Sequence, residues 1–382
     1  MCIQIPVLLV LVIMLSACSA KEVVDDTSAK VSGSNVTSVI STHKDYRFNV
    51  TDGKYETGAA REEVIANSTQ SNGYFNIESM QSDLKRFSSG IFPSDKYKFS
   101  EGQLITNTIL PQWLARKGNP DLADPIDPTY PTGLNPARHS NRSTRTPVII
   151  GNIIEQNYIG KDSQLAGISI GIGVKSTDTY QKIQYGAYYE QKIKTTTAVK
   201  YGVSVSTIIA QRVEKLLRSK KQSPVPIFIG IYNLADTDEL IGGTYVMHAT
   251  YKNNKMSAWI PTNEVNQMLP VVESQKPISP DLSSQFNNFT KNIKQAFPKV
   301  PSITAQARFR NQQIYGLNCT VEAQYFGESE IQSLLGFVAS AATNDLPESI
   351  PVEITIRTAT GIVGYAGREE GESNFYVHVL TN

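Results

Sequence analysis

LAGISIGIGVK, residues 165–175, decides how the chain is read. Gly167-x-Ser169-x-Gly171 matches the G-x-S-x-G elbow, in which a serine nucleophile sits on a sharp turn from strand to helix. Ile168, Ile170, Ile172 and Val174 also alternate without a break through Ser169, which is the period of a strand. A sharp turn at Ser169 would break that strand in its middle, and no helical period starts for many residues. The segment therefore predicts a straight strand whose Gly/Ser face admits a close neighbour. The alternative is an extracytoplasmic hydrolase using Ser169 with His248 or His378, which requires a histidine within hydrogen-bond reach of Ser169 in a cleft.

Working outward, Val205, Ile209, Val213 and Leu216 form one stripe of a helix over about 203–218, with Arg218, Lys220 and Lys221 at its C-terminal end. Strands follow at 225–233 (VPIFIGIYN) and 244–251 (TYVMHATY). The same order recurs later: a strand at 318–326, a helix at about 329–343 with Ile331, Leu334, Leu335 and Val338 inward, then strands at 351–359 and 374–381. Both copies place a proline just before the strand that follows the helix. This order predicts an α+β fold of two similar strand-helix-strand-strand units, related by internal duplication, with small mixed sheets covered by helices. The first copy carries an extra Tyr- and Lys-rich stretch, 176–200. An amphipathic helix with Phe286, Phe289, Ile293 and Phe297 links the copies.

Upstream, Ile77, Met80, Leu84 and Phe87 mark a helix with Asn76 placed to cap its start and Gly90 to end it. TPVIIGNIIEQNYIG, 146–160, reads as a short helix ahead of the first long strand. The expected divisions are a signal peptide (1–17), a flexible tether (18–59), a helical and loop region (60–164), the first α+β unit (165–280), and the linking helix with the second unit (281–382).

The signal peptide rests on residues 5–15, IPVLLVLVIML, an uncharged run with the length of an h-region and too short for a hydrocarbon core of ~30 Å. Leu15-Ser16-Ala17-Cys18 follows, the pattern of a bacterial lipobox. The small residues at 16 and 17 let the backbone enter a peptidase site, and the Cys18 thiol takes a diacylglycerol. Cys18 then becomes the N-terminus, bearing two or three acyl chains, palmitate among them, which together hold a protein firmly on a membrane. The processing partners are the lipoprotein diacylglyceryl transferase and signal peptidase II. Met1-Cys2-Ile3-Gln4 lacks the basic residues with which signal peptides normally begin. From Ser19 to about Ala59 the composition is too polar to bury a core and reads as a tether.

The remaining chemistry is sparse. A net charge of +1 gives no reason to expect nucleic acid. Of three cysteines, Cys2 leaves with the signal peptide and Cys18 is acylated, so Cys319 is alone. It shares parity with Val321, Ala323 and Tyr325 and points into the core. His43, His139, His248 and His378 have no metal-ligand spacing; no metal and no cofactor is expected. Trp113, Trp259 and the 18 tyrosines read as core and strand surface, with a binding groove as the other possibility.

The lipobox, IFPSDKYKFSEGQ (91–103), GLNP (133–136), NIIEQNYIG (152–160) and the terminal FYVHVLTN (375–382), in that order, resemble the CamS family of sex pheromone lipoproteins of low-GC Gram-positive bacteria. The resemblance implies that the signal peptide, once cut before Cys18, is trimmed so that its last seven or eight residues leave as an apolar peptide sensed by bacteria carrying certain conjugative plasmids. Here that stretch ends at Ala17 and begins near Val10 or Leu11, giving Leu11, Val12, Ile13, Met14, Leu15, Ser16 and Ala17 or close to it. It implies no catalytic residue for the folded body. The body is expected to be a non-catalytic, extracytoplasmic module on the cell membrane that binds a ligand or an envelope component.

Overall fold

The structure is a computed structural model and describes residues 46–50, 53–68, 74–118, 129–138, 145–236, 239–272 and 275–380. The first body comprises α1 (Arg61–Asn67), α2 (Tyr74–Ser88), β1 (Lys98–Glu101), α3 (Ile109–Leu114), β2 (Arg116–Lys117), β3 (Thr129–Tyr130), β4 (Ile150–Ile159) and β5 (Leu165–Val174). It continues with β6 (Thr177–Gln181), β7 (Tyr188–Lys192), α4 (Thr195–Ser219), β8 (Ile227–Asn233), β9 (Thr244–Lys252), β10 (Lys255–Met256) and β11 (Ile260–Pro261). The second comprises β12 (Glu264–Leu269), α5 (Pro280–Ala296), β13 (Ser302–Arg310), β14 (Gln313–Glu322), α6 (Glu328–Asp345), β15 (Val352–Thr358), β16 (Gly361–Arg368) and β17 (Tyr376–Val379).

The first sheet runs β1-β4-β5-β8-β9-β10, with β11 also on β9; the second runs β12 through β17 in order. Each is built on one repeated pattern. In the first, β4–β5 is antiparallel, β5–β8 parallel and β8–β9 antiparallel. In the second, β13–β14, β14–β15 and β15–β16 repeat that sequence. A parallel pair needs a long crossover, and α4 and α6 supply it in the two sheets. The α+β architecture of two similar mixed sheets is thus as expected, and each sheet adds strands to the four shared ones. The start of α5 is set locally: Ser279 caps it by accepting from the Leu282 N–H at 3.2 Å, and Pro280 opens its first turn.

β5 is straight and buried on both sides. Its isoleucine face meets α4, where Gly202 lies against Val174 and Ile231, while Met80 of α2 lies over Gly171 on the other face. Ile168, Ile170 and Ile172 are fully buried. Each contributes about 1.5–3 kcal/mol relative to an exposed side chain, before the entropy of ordering it. The Gly/Ser face admits close neighbours: a Cβ at Gly167 would run into the Phe92 ring. In the second body α5 and α6 cover the inner face, and Cys319 sits in that core with Val321, Ala323 and Leu335, as its parity predicts.

Several expectations are corrected. Residues 150–159 are strand β4, not a helix. The apolar residues at 149, 150, 153, 154 and 158 mimic a helical period because this strand is buried on both faces. Its polar members are also buried, the Asn152 and Gln156 amides donating to Val64 O at 3.2 Å and Gln81 O at 2.8 Å. Asn76 does not cap α2, which starts at Tyr74. Its side chain lies within the helix and ties a distant loop, Oδ1 accepting from the Ala235 and Gly243 N–H groups at 2.9 and 3.0 Å. α4 starts at Thr195, well before 203, since Ala198 and Gly202 of those early turns are buried against the sheet. In the second unit the counterpart of β9 is β16, not the expected strand at 374–381, which is β17 and pairs outside β16; β12 and β13 are further strands that the expected set lacked. The chain meets the body by residue 46, inside the stretch read as tether: Tyr46 packs on Phe99 and Tyr158 and hydrogen-bonds Phe92 O.

Candidate functional site

A cavity of about 430 Å³ lies where α1 and α2 cross β1 and β4. Val64, Ile65, Ile77, Ile105, Ile153 and Ile154 give it an apolar lining, and Tyr55, Arg61, Gln81 and Glu101 supply polar groups around it. The stretches SEGQ and NIIEQ meet here, contributing Glu101, Gly102, Ile153, Ile154 and Glu155. Glu155 fixes the turn after β1. Its Oε1 accepts from Gln103 N–H at 3.0 Å, and its Oε2 accepts from Leu104 and Ile105 N–H at 3.0 and 2.7 Å. Burial pushes the Glu155 carboxyl above the usual range, and the three backbone donors partly offset that. Gly102 permits the approach, since a Cβ there would stand 2.5 Å from Glu155 Cβ. Tyr55 donates to Glu101 at 2.6 Å, closing one side. Exposed apolar residues continue outward from the cavity: Tyr55 is 48% exposed, Ile65 36% and Phe48 36%. Such a combination, an apolar concavity with a few polar groups at its edge, is the usual form of a ligand site.

The two bodies meet at a charged seam. Arg86 of α2 binds Asp83 at 3.0 Å and Glu264 of β12 at 2.7 Å; Arg310 binds Glu264 at 2.7 Å, and Arg308 pairs with Asp83. The three guanidiniums surround the Tyr315 ring at 5.6, 5.4 and 4.6 Å from its centroid. Tyr315 Oη donates to Glu264 at 3.0 Å. Cavities of about 470 and 220 Å³ flank this seam on either side of Leu240, Ile241 and Gly242.

The sequence-derived site residues fall as follows. Cys18, the recognition residues Leu15, Ser16 and Ala17, and the peptide stretch from Leu11 all lie outside the described residues, as do His43 and His139. Ser169 is fully buried in the middle of β5, with Tyr158 Oη at 3.2 Å and Gln156 Oε1 at 3.4 Å. Neither partner is a histidine. His248 instead packs between the Phe87 and Phe228 rings, and burial lowers its pKa. His378 stacks on Tyr376 at the far sheet edge. The catalytic geometry that the Ser169 alternative requires is not formed. Among the described residues, no group of three or more His, Cys, Asp or Glu side chains is placed to hold a metal ion, and no helix is long and apolar enough to cross a membrane. Sequence reasoning did not find the cavity: its lining is drawn from four separated stretches, and although two of them belong to the motifs at 91–103 and 152–160, nothing in their spacing shows that they meet.

Fold and cavity together define a double-sheet α+β protein with a repeated pairing pattern and an apolar pocket in its first body. The family model described as CamS sex pheromone cAM373 precursor matches residues 55–374, and the chain belongs to that family. It is similar to a solved sex pheromone precursor from Lactobacillus salivarius subsp. salivarius UCC118, at 30% identity and TM-score 0.79, covering 88% of this chain and 96% of that one. It also shares its fold with the C-terminal domain of the sex pheromone staph-cAM373 precursor from Staphylococcus aureus, at 21% identity and TM-score 0.68, covering 81% and 97%. No curated protein matches it.

Proposed function

We propose that this chain is the precursor of both a lipid-anchored surface protein and an apolar pheromone peptide. The observation that carries the reading is Leu15-Ser16-Ala17-Cys18 directly after an uncharged apolar run, in a member of a sex pheromone precursor family. Diacylglyceryl transfer to Cys18 and cleavage before it leave the mature protein on the outer face of the cell membrane. The cut-off segment is trimmed to Leu11–Ala17, which serves as the signal exchanged between cells in plasmid conjugation. The folded body is a non-catalytic binding module. The position of Ser169, away from any histidine, favours that reading over a hydrolase.

Cys18→Ala tests the anchor. The variant is expected to leave the membrane fraction and to lose the shift in gel mobility that acylation gives. Unchanged fractionation and mobility would refute it.

A further inference from the structure

We propose that the cavity between α1, α2 and β4 is the binding site for residues 11–17 of this same chain, taken up as the free peptide Leu11–Ala17. This rests on the reading of that segment as a released peptide.

Three observations on the fold point to this occupant. First, Val64, Ile65, Ile77, Ile105, Ile153 and Ile154 give the cavity an apolar wall beside its polar groups, and the exposed side chains of Phe48, Tyr55 and Ile65 extend apolar surface outward. Contiguous exposed apolar surface beside a concavity marks an interaction site. The peptide Leu-Val-Ile-Met-Leu-Ser-Ala is apolar over its first five residues.

Second, the charges match. Cleavage before Cys18 leaves a carboxylate at Ala17, and trimming leaves an ammonium at the other end. The cavity sets one cation, Arg61, against the carboxylate of Glu101, while its second carboxylate, Glu155, is taken up by the Gln103, Leu104 and Ile105 N–H groups. Such a pair discriminates orientation more than it adds affinity.

Third, the described chain begins beside the cavity. Phe99 N–H donates to Arg47 O at 2.8 Å, and the Phe48 ring stands 6.1 Å from Tyr55, which lines the cavity. Residues 18–45 span at most about 100 Å. The segment that yields the peptide is therefore tethered within reach of the cavity before it is cut. A body that holds its own peptide after cleavage would set how much of it leaves the cell surface.

The test uses the mature chain, residues 18–382 with Cys18→Ser, which contains the whole described fold. Fluorescently labelled synthetic LVIMLSA is titrated by anisotropy, with myristate as a competing apolar probe. Saturable binding of one peptide per chain is expected. Ile65→Glu places a charge in the apolar surface and should weaken binding by about tenfold or more. Arg61→Glu should weaken the free acid more than the C-terminal amide. Because Ile65 and Arg61 are exposed, both variants should keep the parent melting temperature, which is measured alongside. Absence of saturable binding would overturn the proposal. So would equal affinity in Ile65→Glu, or saturable binding of myristate with none of peptide. The peptide is supplied, so this titration is independent of whether cells release it; release is read separately in spent medium.

Discussion

Arg86 of α2 and Glu264 of β12 are 178 residues apart in sequence, and Arg86 Nη2 lies 2.7 Å from Glu264 Oε2. The Glu264 side chain is fully buried, and Arg310 and Tyr315 complete its shell. Arg86→Ala leaves Glu264 with Arg310 and Tyr315 and Asp83 with Arg308, so the loss of its charged hydrogen bonds should destabilise the fold by about 1.5–3 kcal/mol. Urea unfolding measures it. Replacing Glu264 with Gln should cost less in desolvation but leave two guanidiniums short of an acceptor. A double-mutant cycle of Arg86→Ala and Glu264→Gln should show strong coupling.

The same carboxylate makes stability depend on acid. Burial alone would raise the Glu264 pKa; the hydrogen bonds and charges of Arg86 and Arg310 outweigh it and hold it below the ordinary glutamate range. A group with a depressed folded pKa adds stability that is complete above its unfolded value and drains as pH falls through the folded one. Parent protein should therefore lose stability below about pH 4.5, the ordinary glutamate value, and Glu264→Gln should lose less over the same interval. Equal acid sensitivity of the two chains would contradict this role.

Around the cavity, Gly102 and Glu155 fit only as a pair. Gly102→Ala would push a Cβ to 2.6 Å from the Glu155 carbonyl oxygen, within a backbone already fixed by three hydrogen bonds. A loss of about 1–3 kcal/mol is expected. Glu155→Ala strands the Gln103, Leu104 and Ile105 N–H groups and should cost at least as much, at about 1–3 kcal/mol for each donor that finds no water. Chemical denaturation of both variants decides it. Peptide binding should fall in the same variants, since this turn shapes the pocket.

Along β5, Ser169→Ala removes hydroxyl contacts to Tyr158 and Gln156 and should shift stability by about 1 kcal/mol. Gly167→Ala, which collides with Phe92, should be the more damaging of the two in thermal melts. The reverse order would mean that the polar cluster at Ser169, and not close packing, organises this face.

Much of this architecture was legible because its signals are local. Ile168 to Val174 alternate, and Val205 to Leu216 and Phe286 to Ile293 keep helical period. β4 misled because burial on both faces erases alternation, and its buried amides are satisfied by α1 and α2, elements far away in sequence. β13 does alternate, at Ile303, Ala305, Ala307 and Phe309, but with small residues that weaken the signal. β16 carries three glycines, at 361, 364 and 367, and reads as loop. GLNP could be quoted as a motif but not explained from sequence. In the fold, Asn135 Oδ1 accepts from Ile149 and Ile150 N–H at 2.8 and 2.7 Å, and its Nδ2 donates to Leu114 O at 2.6 Å, so it pins the start of β4 to α3. The seam and the cavity depend on such long-range meetings, which no spacing along the chain reveals.

The most direct measurement is mass spectrometry of the N-terminus of the cell-bound protein and of the spent medium of the native host. An acylated Cys18 at the mature N-terminus, together with a secreted peptide ending at Ala17, is the predicted result. A cell-bound chain that retains Met1 and an unmodified Cys18, with no such peptide in the medium, would contradict both the anchor and the pheromone precursor.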